Sequence, residues 1–311
     1  MSDSKADAVD ASVCVSVAQL VRLQYQARRL PLGSSRKIDN PLVGRHRSQV
    51  RGRGLNFEEL RQYRQGDDIR QMDWKVTNRT RKPHVRIYAE ERERPVMLLV
   101  DQRLSMFFGS RRVMKSVAAA EMAALVGWKS LSQGDRIGAV LFNDDTLTEL
   151  APRASQQHMM QVFQSLVEYG QKLRDAEQGN PEQLNCALKR LMQVAQHDAL
   201  IYVITDLDGA DETTGHWLSA LAQHNNVILG LIYDPMEQSL PFGGKLAVSD
   251  GQYQVEVDTA DQALRDKFSY QFQRRLDRAL EFLHARQVPV LPISTAQPVE
   301  QQLMKMMSVV G

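Results

Sequence analysis

The chain has 311 residues, 43% of them hydrophobic and 24% charged, and a formal net charge of +2. These fractions are typical of a folded globular protein and exclude a chain that is disordered throughout. Its longest apolar runs fall far short of the roughly 20 residues that a membrane-spanning helix needs, and no secretory signal opens the sequence, so we expect a cytoplasmic protein without membrane insertion.

The N-terminal part of the sequence is rich in arginine and poor in apolar residues. We predict that residues 1–12 form a disordered tail and that residues 13–93 form an N-terminal extension of the main domain. The extension contains an amphipathic helix over "SVAQLVRLQYQARRL", a basic loop rich in glycine, proline and arginine, and a polar, edge-type strand over "PHVRIYAEERE". Because it has too few apolar residues for a core of its own, we expect it to pack on the main domain or to extend the edge of its sheet.

Residues 94–311 alternate between short apolar segments and longer amphipathic segments, which is typical of βα units. The apolar segments are "VMLLVD", "DRIGAVLFN", "TLTELAP", "ALIYVITD", "NVILGLIYD" and "VPVLPIS". This pattern predicts an α/β fold with an open, mostly parallel sheet and helices on both faces. A β-hairpin is expected at about residues 241–258, with Asp250-Gly251 as its turn, and a long helix at about residues 261–286.

Basic residues crowd into the stretch from about residue 45 to residue 86. Charge of this kind attracts nucleic acid, an anionic surface or an acidic protein partner without distinguishing them. The stretch is also compatible with a solvated surface that pairs internally with Asp67, Asp68 and Asp73. Because those aspartates interrupt it and no nucleic-acid-binding module is recognisable, nucleic-acid binding is an alternative and not the main prediction.

Two acidic residues follow separate predicted strands. Asp101 ends "VMLLVD" and Asp206 ends "ALIYVITD". Because the carboxyl ends of parallel strands meet at one edge of a sheet, these carboxylates are expected to come together and to repel each other unless positive charge lies between them. A magnesium ion bound by Asp101, Ser105 and Asp206 is one source of that charge, and the guanidinium of Arg103 is the other. A third interpretation treats them as ordinary strand-end polar residues.

The sequence contains no arrangement that predicts catalysis. The segment "GSRRVMKS" approaches a phosphate-binding loop, but Met114 stands where the second glycine is required, so we expect Lys115 to be a solvated helix residue. No serine lies in a G-x-S-x-G turn, no H-E-x-x-H segment is present, and Cys14 and Cys186 have no partner at zinc-ligand spacing. We therefore predict a protein that is not an enzyme, with no catalytic residue and no cofactor.

The strand rhythm and the segment "DQRLS" resemble the von Willebrand factor A fold, whose metal-ion-dependent adhesion site uses a D-x-S-x-S loop, a later threonine and an aspartate after the fourth strand. Asp101, Ser105 and Asp206 match those positions, whereas Arg103 replaces a serine and Glu182 stands where the threonine is expected. The resemblance implies a degenerate adhesion site in which Arg103 neutralises Asp101 and Asp206 directly. The alternative it leaves open is magnesium-dependent binding of a partner carboxylate.

A second resemblance covers nearly the whole chain. The stretch "RGRGLNFEELRQYRQGDDIRQMDWKVTNRT", followed by "VRIYAEERERPVMLLVD", is similar to the signature of a bacterial family catalogued as domain of unknown function 58. The residues that match by position are Arg51, Gly52, Gly54, Phe57, Arg61, Tyr63, Gly66, Asp67, Asp68, Arg70, Asp73 and Trp74. Members of that family resemble accessory proteins of MoxR-type AAA+ ATPases and of other von Willebrand A-type proteins. The resemblance implies those partners and no established catalytic activity.

The Gly-Asp-Asp part of this motif has a structural interpretation. Gly66 permits a tight turn, Asp67 or Asp68 caps the following segment, and Trp74 anchors the loop in an apolar pocket. Arg70 and Asp73 are close enough in sequence to pair. The functional interpretation is that the fixed loop presents basic side chains to a partner, namely Arg61, Arg64 and Arg70.

These observations together predict a non-catalytic interaction module, an adaptor or accessory factor that works with a MoxR-type AAA+ ATPase. The loops at the strand ends are expected to form its binding face. The candidate partner-binding residues are Asp101, Arg103, Ser105, Glu182, Asp206 and Asp208.

Overall fold

The structure is a computed structural model, and it describes residues 10–31, 55–64, 69–90, 94–239, 243–249, 254–267, 269–270, 272–273 and 288–308. The chain divides into two compact units. We call Met1–Asp39 together with Arg94–Gly311 the sheet unit, and Asn40–Glu93 the basic unit.

Helix α1 (Val17–Ala27) belongs to the sheet unit, although the sequence pattern grouped it with the extension. A capping box at Ser16 fixes its start, and its buried residues pack into the main core. The indole Nε1 of Trp128 donates a hydrogen bond to the Leu20 carbonyl at 2.9 Å, which fastens the helix to that core.

Residues 10–12 were predicted to lie in a disordered tail, but they form a turn whose Ser12 carbonyl accepts from the Met114 amide. Residues 1–9 lie outside the described residues.

The basic unit contains strand β1 (Leu55–Gln62), helix α2 (Trp74–Thr80) and strand β2 (His84–Glu90). The two strands pair antiparallel in a sheet of their own. Of the two expectations for this region, packing on the main domain or extending the edge of its sheet, the second is therefore wrong. Strand β1, which we did not predict, supplies a partner of matching length and satisfies the backbone groups of β2.

The sheet unit is built on six strands in the spatial order β10, β7, β6, β3, β4, β5. All neighbours in this sheet are parallel except β4 and β5, so the predicted open, mostly parallel sheet is confirmed. The strands are β3 (Pro95–Asp101), β4 (Arg136–Phe142), β5 (Leu147–Arg153), β6 (Leu200–Thr205), β7 (Asn226–Tyr233) and β10 (Val290–Ser294).

Helices cover both faces of this sheet, as the sequence predicts. The alternate side chains of β3 separate into two cores, with Leu98 and Val100 in one and Met97 and Leu99 in the other. The helices are α3 (Lys115–Ser132), α4 (Gln156–Lys172), α5 (Gln183–Val194), α6 (Glu212–His224), α7 (Pro235–Gln238) and α8 (Val299–Ser308). In the part of the chain that is described, no helix combines the length and apolar character that crossing a bilayer requires.

The predicted hairpin is also present, as β8 (Lys245–Ser249) paired antiparallel with β9 (Gln254–Asp258). Its expected Asp250-Gly251 turn lies outside the described residues. Of the long helix predicted over 261–286, residues 262–267, 269–270 and 272–273 are described and helical.

The order of the strands places a topological switch point between β3 and β6. From β3 the chain continues to β4 on one side, and from β6 it continues to β7 on the other. The two strands are parallel neighbours, with Val100 beside Ile204, so the residues that follow them emerge side by side. In open α/β sheets, this is where loops diverge and ligand sites form.

Candidate functional site

The loops at the carboxyl end of the sheet form a surface that we call the rim, made of residues 102–114, 143–146, 176–182, 206–211 and 234. At its centre, the Arg103 guanidinium donates two parallel hydrogen bonds to Asp101: Nε lies 3.0 Å from Oδ1, and Nη2 lies 2.8 Å from Oδ2. The Arg103 amide also donates to Oδ1 at 3.0 Å. Only 1% of Arg103 and none of Asp101 is exposed, so this is a buried, bidentate ion pair.

The guanidinium of Arg103 also ties three loops together. Its Nη1 donates to the Pro181 carbonyl at 3.3 Å, and its Nη2 donates to the Asp208 carbonyl at 3.1 Å. The same Nη2 lies 3.7 Å from Oδ1 of Asp206. One side chain therefore links the end of β3, the loop before α5 and the loop after β6, and it lies between the two aspartates as the sequence suggested.

A second cation, which sequence reasoning missed, neutralises Asp206. The Nζ of Lys115 lies 2.8 Å from Oδ2 of Asp206 and 2.6 Å from Oε1 of Glu237. Lys115 is only 2% exposed, so the expectation of a solvated helix residue is wrong. The first turn of α3 brings the ammonium to the strand ends, where two carboxylates offset its loss of hydration.

The pKa values follow from this balance of burial and charge. Burial raises the pKa of Asp101, while the charge and hydrogen bonds of Arg103 and the hydroxyl of Thr205 act in the opposite direction. Burial also disfavours the ionised form of Asp206, but the Lys115 ammonium, the Asp208 amide and the Arg103 guanidinium together outweigh it and lower the pKa of that carboxyl. Burial alone would lower the pKa of Lys115, yet Asp206 and Glu237 raise it and keep the ammonium charged.

The residues at the switch point do not fit a divalent cation. Both oxygens of Asp101 already accept from Arg103, and Oδ2 also accepts from the Thr205 hydroxyl at 2.7 Å. The oxygens of Asp206 accept from Lys115 and from the Asp208 amide. The side-chain cations of Arg103 and Lys115 thus take up the space beside the carboxylates that a magnesium ion would need. Their donor groups also cannot serve as the oxygen ligands that magnesium requires. No metal-ligating cluster of three side chains occurs among the described residues.

The remaining predicted site residues lie around this pair and play different parts. Glu182 is exposed immediately before α5. Asp208 is half-buried. Its amide donates to Asp206, and its carbonyl accepts from Arg103. The hydroxyl oxygen of Ser105 is buried and bonds to no described residue. The structure therefore brings together Asp101, Arg103 and Asp206, whereas in the described residues no side-chain hydrogen bond or ion pair joins Glu182 or Ser105 to them.

Two further buried aspartates shape the rim and were also missed. Asp144, after β4, accepts from the Leu104 amide and from the Asn180 amide, each at 2.6 Å. Asp234, after β7, accepts from the Ser110 amide at 2.8 Å and from the hydroxyl groups of Ser110 and Thr295. Their signal in the sequence is their position at the carboxyl end of an apolar segment, the same signal that identified Asp101 and Asp206.

Asp234 is wholly buried, and its pKa reflects its hydrogen bonds. Burial disfavours the ionised form, but the hydroxyl groups of Ser110 and Thr295 and the amides of Ser110 and Met236 outweigh it and lower the pKa. The carboxylate therefore clamps the loop after β3 to the residue after β10.

The motif of the basic unit is only partly described. Helix α2 is capped by Asp73, whose Oδ1 accepts from the amides of Lys75 and Val76, while the cap predicted for Asp67 or Asp68 falls outside the described residues. Trp74 is 61% exposed, so the predicted apolar pocket around it is wrong; α2 contains no buried residue against which the indole packs. Arg64 and Arg70 are exposed, while Arg61 and Tyr63 are half-buried. The positions outside the described residues are Arg51, Gly52, Gly54, Gly66, Asp67 and Asp68, and for Phe57 only the backbone, in β1, is described.

Known proteins resemble this chain in sequence and, more distantly, in structure. A family model described as "Protein of unknown function DUF58" matches residues 59–303. Uncharacterized proteins of Mycobacterium tuberculosis and Mycobacterium bovis are 30% identical to it over 275 residues, which span 86% of this chain and 84% of each relative. The crystal structure of the conserved hypothetical protein BatB from Bacteroides thetaiotaomicron is 12% identical with a TM-score of 0.40, over 70% of this chain and 98% of that one.

Proposed function

Because this chain belongs to the DUF58 family, whose members are described as proteins of unknown function, we propose a function on the basis of its site. It is a cytoplasmic, non-catalytic protein–protein interaction module. It acts as an adaptor or accessory factor for a MoxR-type AAA+ ATPase in the maturation or remodelling of client complexes. Other von Willebrand A-type proteins are its second class of partner.

The observation that carries this proposal is the neutralised switch point. The place where an open α/β sheet usually receives a ligand is filled by the chain's own ion pairs, Arg103 with Asp101 and Lys115 with Asp206. Every carboxylate oxygen of the two aspartates is already hydrogen-bonded, which leaves them poorly suited to act as a general base or a nucleophile. The arrangement favours a rigid surface for another protein over a pocket for a substrate.

Rigidity of the rim supports the same proposal. Arg103, Asp144 and Asp234 each join segments that are distant in the sequence, so the loops of the rim are held before any partner arrives. A preorganised surface loses little conformational entropy on binding, and more of its contact energy appears as affinity.

The candidate residues then divide into two roles. Asp101, Arg103 and Asp206 are buried and position the loops without reaching a partner. Contact falls to side chains on the outside of the same loops, among them Glu182, which is exposed, and Phe108, which is 38% exposed. Aromatic side chains are enriched at the centre of protein interfaces, whereas carboxylates are more common at the polar periphery, so Phe108 is the candidate anchor and Glu182 a charged contact.

The proposal is tested with the purified chain and the MoxR-type ATPase of the same organism, by biolayer interferometry with ATP, ADP or no nucleotide. Glu182→Lys is expected to weaken binding roughly tenfold or more, because it reverses a charge within the proposed contact. Lys189→Glu is the matched control, since this exposed residue lies on α5 itself, about 10 Å further from the rim. EDTA is expected to leave the affinity unchanged.

Two results would overturn the proposal. The first is the absence of a complex at micromolar concentrations in every nucleotide state. The second is a complex that Glu182→Lys and Phe108→Ala leave intact, because the contact would then lie elsewhere on the chain.

A further inference from the structure

We infer that the basic unit carries a docking surface for an acidic segment of a partner protein. We call it the α2 surface and define it by one exposed indole and four exposed cations on α2 and in the turn that follows it. Its residues are Trp74, Lys75, Arg79, Arg81 and Lys82. The surface belongs to a different unit from the rim, and the inference does not depend on the function proposed for the rim.

The exposure of Trp74 is the first observation. An indole is among the largest apolar side chains, and 61% of Trp74 faces solvent. Ile69 and Leu60, in the same unit, are 60% and 38% exposed. Tryptophan is strongly enriched among the few residues that dominate binding energy at protein interfaces, so an exposed indole on a fixed element is a candidate anchor.

Helix α2 holds this indole in place although none of its residues is buried. A helix of seven residues is unstable on its own in water, so something other than burial must fix it. Asp73 caps its first turn through Lys75 and Val76, at 3.0 and 3.1 Å. At its other end the Thr80 hydroxyl bonds to the carbonyl of Val76, at 2.8 Å.

The helix is also fastened to β2. The Asp73 amide donates to the His84 carbonyl at 2.8 Å, and the His84 amide donates to the Thr77 hydroxyl at 3.0 Å. Met72 forms an isolated bridge to Val85, which is 2% exposed. Hydrogen bonds and a strand therefore hold a helix that has no fully buried side chain, and the result is a preorganised indole on a short segment that also carries cations.

The net positive charge of the basic unit indicates an acidic partner. The basic unit contains thirteen arginines and lysines against eight aspartates and glutamates, a net charge of +5, whereas the whole chain carries +2. Lys75 and Arg79 are four residues apart, so their side chains are neighbours on one face of the helix, about a third of a turn from that of Trp74. In the described part of the chain, no ion pair includes Lys75, Arg79, Arg81 or Lys82.

An acidic protein segment fits this surface better than a nucleic acid does. Single-stranded nucleic acids bind where several aromatic rings stack successive bases along a basic groove. Of the aromatic side chains that are described in this unit, only Trp74 is exposed and Tyr63 is half-buried. One indole among cations matches a segment with several carboxylates and one apolar side chain.

The test uses labelled probes and fluorescence anisotropy on the full chain. The probes are a short peptide of glutamates and aspartates with one leucine, the same peptide with serine in place of the leucine, and an oligothymidylate of equal charge. The variants are Trp74→Ala and the charge reversal Lys75→Glu with Arg79→Glu. Tyr25→Ala is the matched control, because Tyr25 is 74% exposed and lies close to two arginines, Arg28 and Arg29, at the end of α1. Circular dichroism confirms that each variant is folded.

We expect the leucine peptide to bind, and Trp74→Ala and the charge reversal each to weaken it roughly tenfold, with no effect of Tyr25→Ala. We expect the serine peptide to bind several-fold more weakly. The inference is overturned if Trp74→Ala changes nothing, if the leucine peptide does not bind, or if the oligothymidylate binds more tightly than the peptide. None of these outcomes bears on the rim, which is tested with the ATPase and with variants of the sheet unit.

Discussion

Arg103 and Asp101, only two residues apart in the sequence, form a bidentate ion pair at the end of β3, with Nη2 2.8 Å from Oδ2 and almost no exposure of either side chain. The pair closes the first loop of the rim on itself. Because the guanidinium also reaches Pro181 and Asp208, the positive charge at the switch point is covalently part of the chain. From this relationship we expect the rim to be stable without a bound metal ion.

Replacing Arg103 is expected to cost about 3–5 kcal/mol in the free energy of unfolding, because Arg103→Met leaves Asp101 buried without its cation. Urea denaturation measures this loss. Arg190→Met is the control, since its Nε and Nη2 both contact Oε2 of Glu149, at 2.8 and 2.7 Å, in a pair that is partly exposed. A partly exposed pair contributes about 0–1 kcal/mol. Equal losses in the two variants would contradict the importance given to the buried pair.

Lys115 and Asp206 are expected to behave as a coupled pair. Lys115→Met alone leaves Asp206 without its closer cation and destabilises the fold by roughly 3 kcal/mol or more. Adding Asp206→Asn removes the stranded charge and should recover part of that loss. A double-mutant cycle in urea gives the coupling energy, and additive effects of the two substitutions would show that the pair is not formed in solution.

Acid is expected to weaken the clamp that Asp234 makes. Its pKa in the folded protein lies below the ordinary value of 3.8, so its carboxylate stabilises the fold fully above that pH and progressively less as the pH falls through the folded value. The difference in unfolding free energy between wild type and Asp234→Asn should therefore be constant near neutral pH and shrink below about pH 4. Asp145→Asn, an exposed rim residue, is the control. A gap that widens in acid would contradict the assignment.

Gly209→Ala is expected to disturb the rim through a specific collision. Gly209 has a φ of +70°, and an added Cβ would lie 2.3 Å from Cβ of Pro181, whose carbonyl accepts from Arg103. A side chain at Gly209 would suffer both from the positive φ and from this collision. Gly134→Ala separates the two causes, since Gly134 has a φ of +85° but nothing within 4 Å of the added atom. We expect Gly209→Ala to cost about 1–3 kcal/mol more than Gly134→Ala in thermal or urea unfolding. Equal costs would show that the loop around Pro181 yields without penalty.

The sheet and the pair of aspartates were predictable because they depend on local patterns. Apolar runs of the right length predict strands, and the residue after such a run lies at the sheet edge. Arg103 was recognisable for the same reason, since it is within two residues of Asp101. Strand order then brings Asp206 to the same place through the pairing of β3 with β6.

Lys115, Glu237 and Asp234 were not identified because their roles depend on contacts between distant segments. Lys115 reads as a polar residue at the start of an amphipathic helix, and only the position of α3 above the strand ends buries its ammonium against Asp206 and Glu237. For Trp74 the sequence predicted burial where the structure shows exposure. Its size predicts burial, but α2 is fixed by hydrogen bonds and leaves the indole exposed.

The most direct test of the neutralised switch point is the free energy of unfolding of the wild-type protein, measured in urea with EDTA and again with a large excess of magnesium chloride, at matched ionic strength. Because Arg103 and Lys115 already balance Asp101 and Asp206, the two unfolding curves should coincide. A saturable increase in stability with magnesium that Asp206→Asn abolishes would show a metal ion bound to the folded state and would contradict the account.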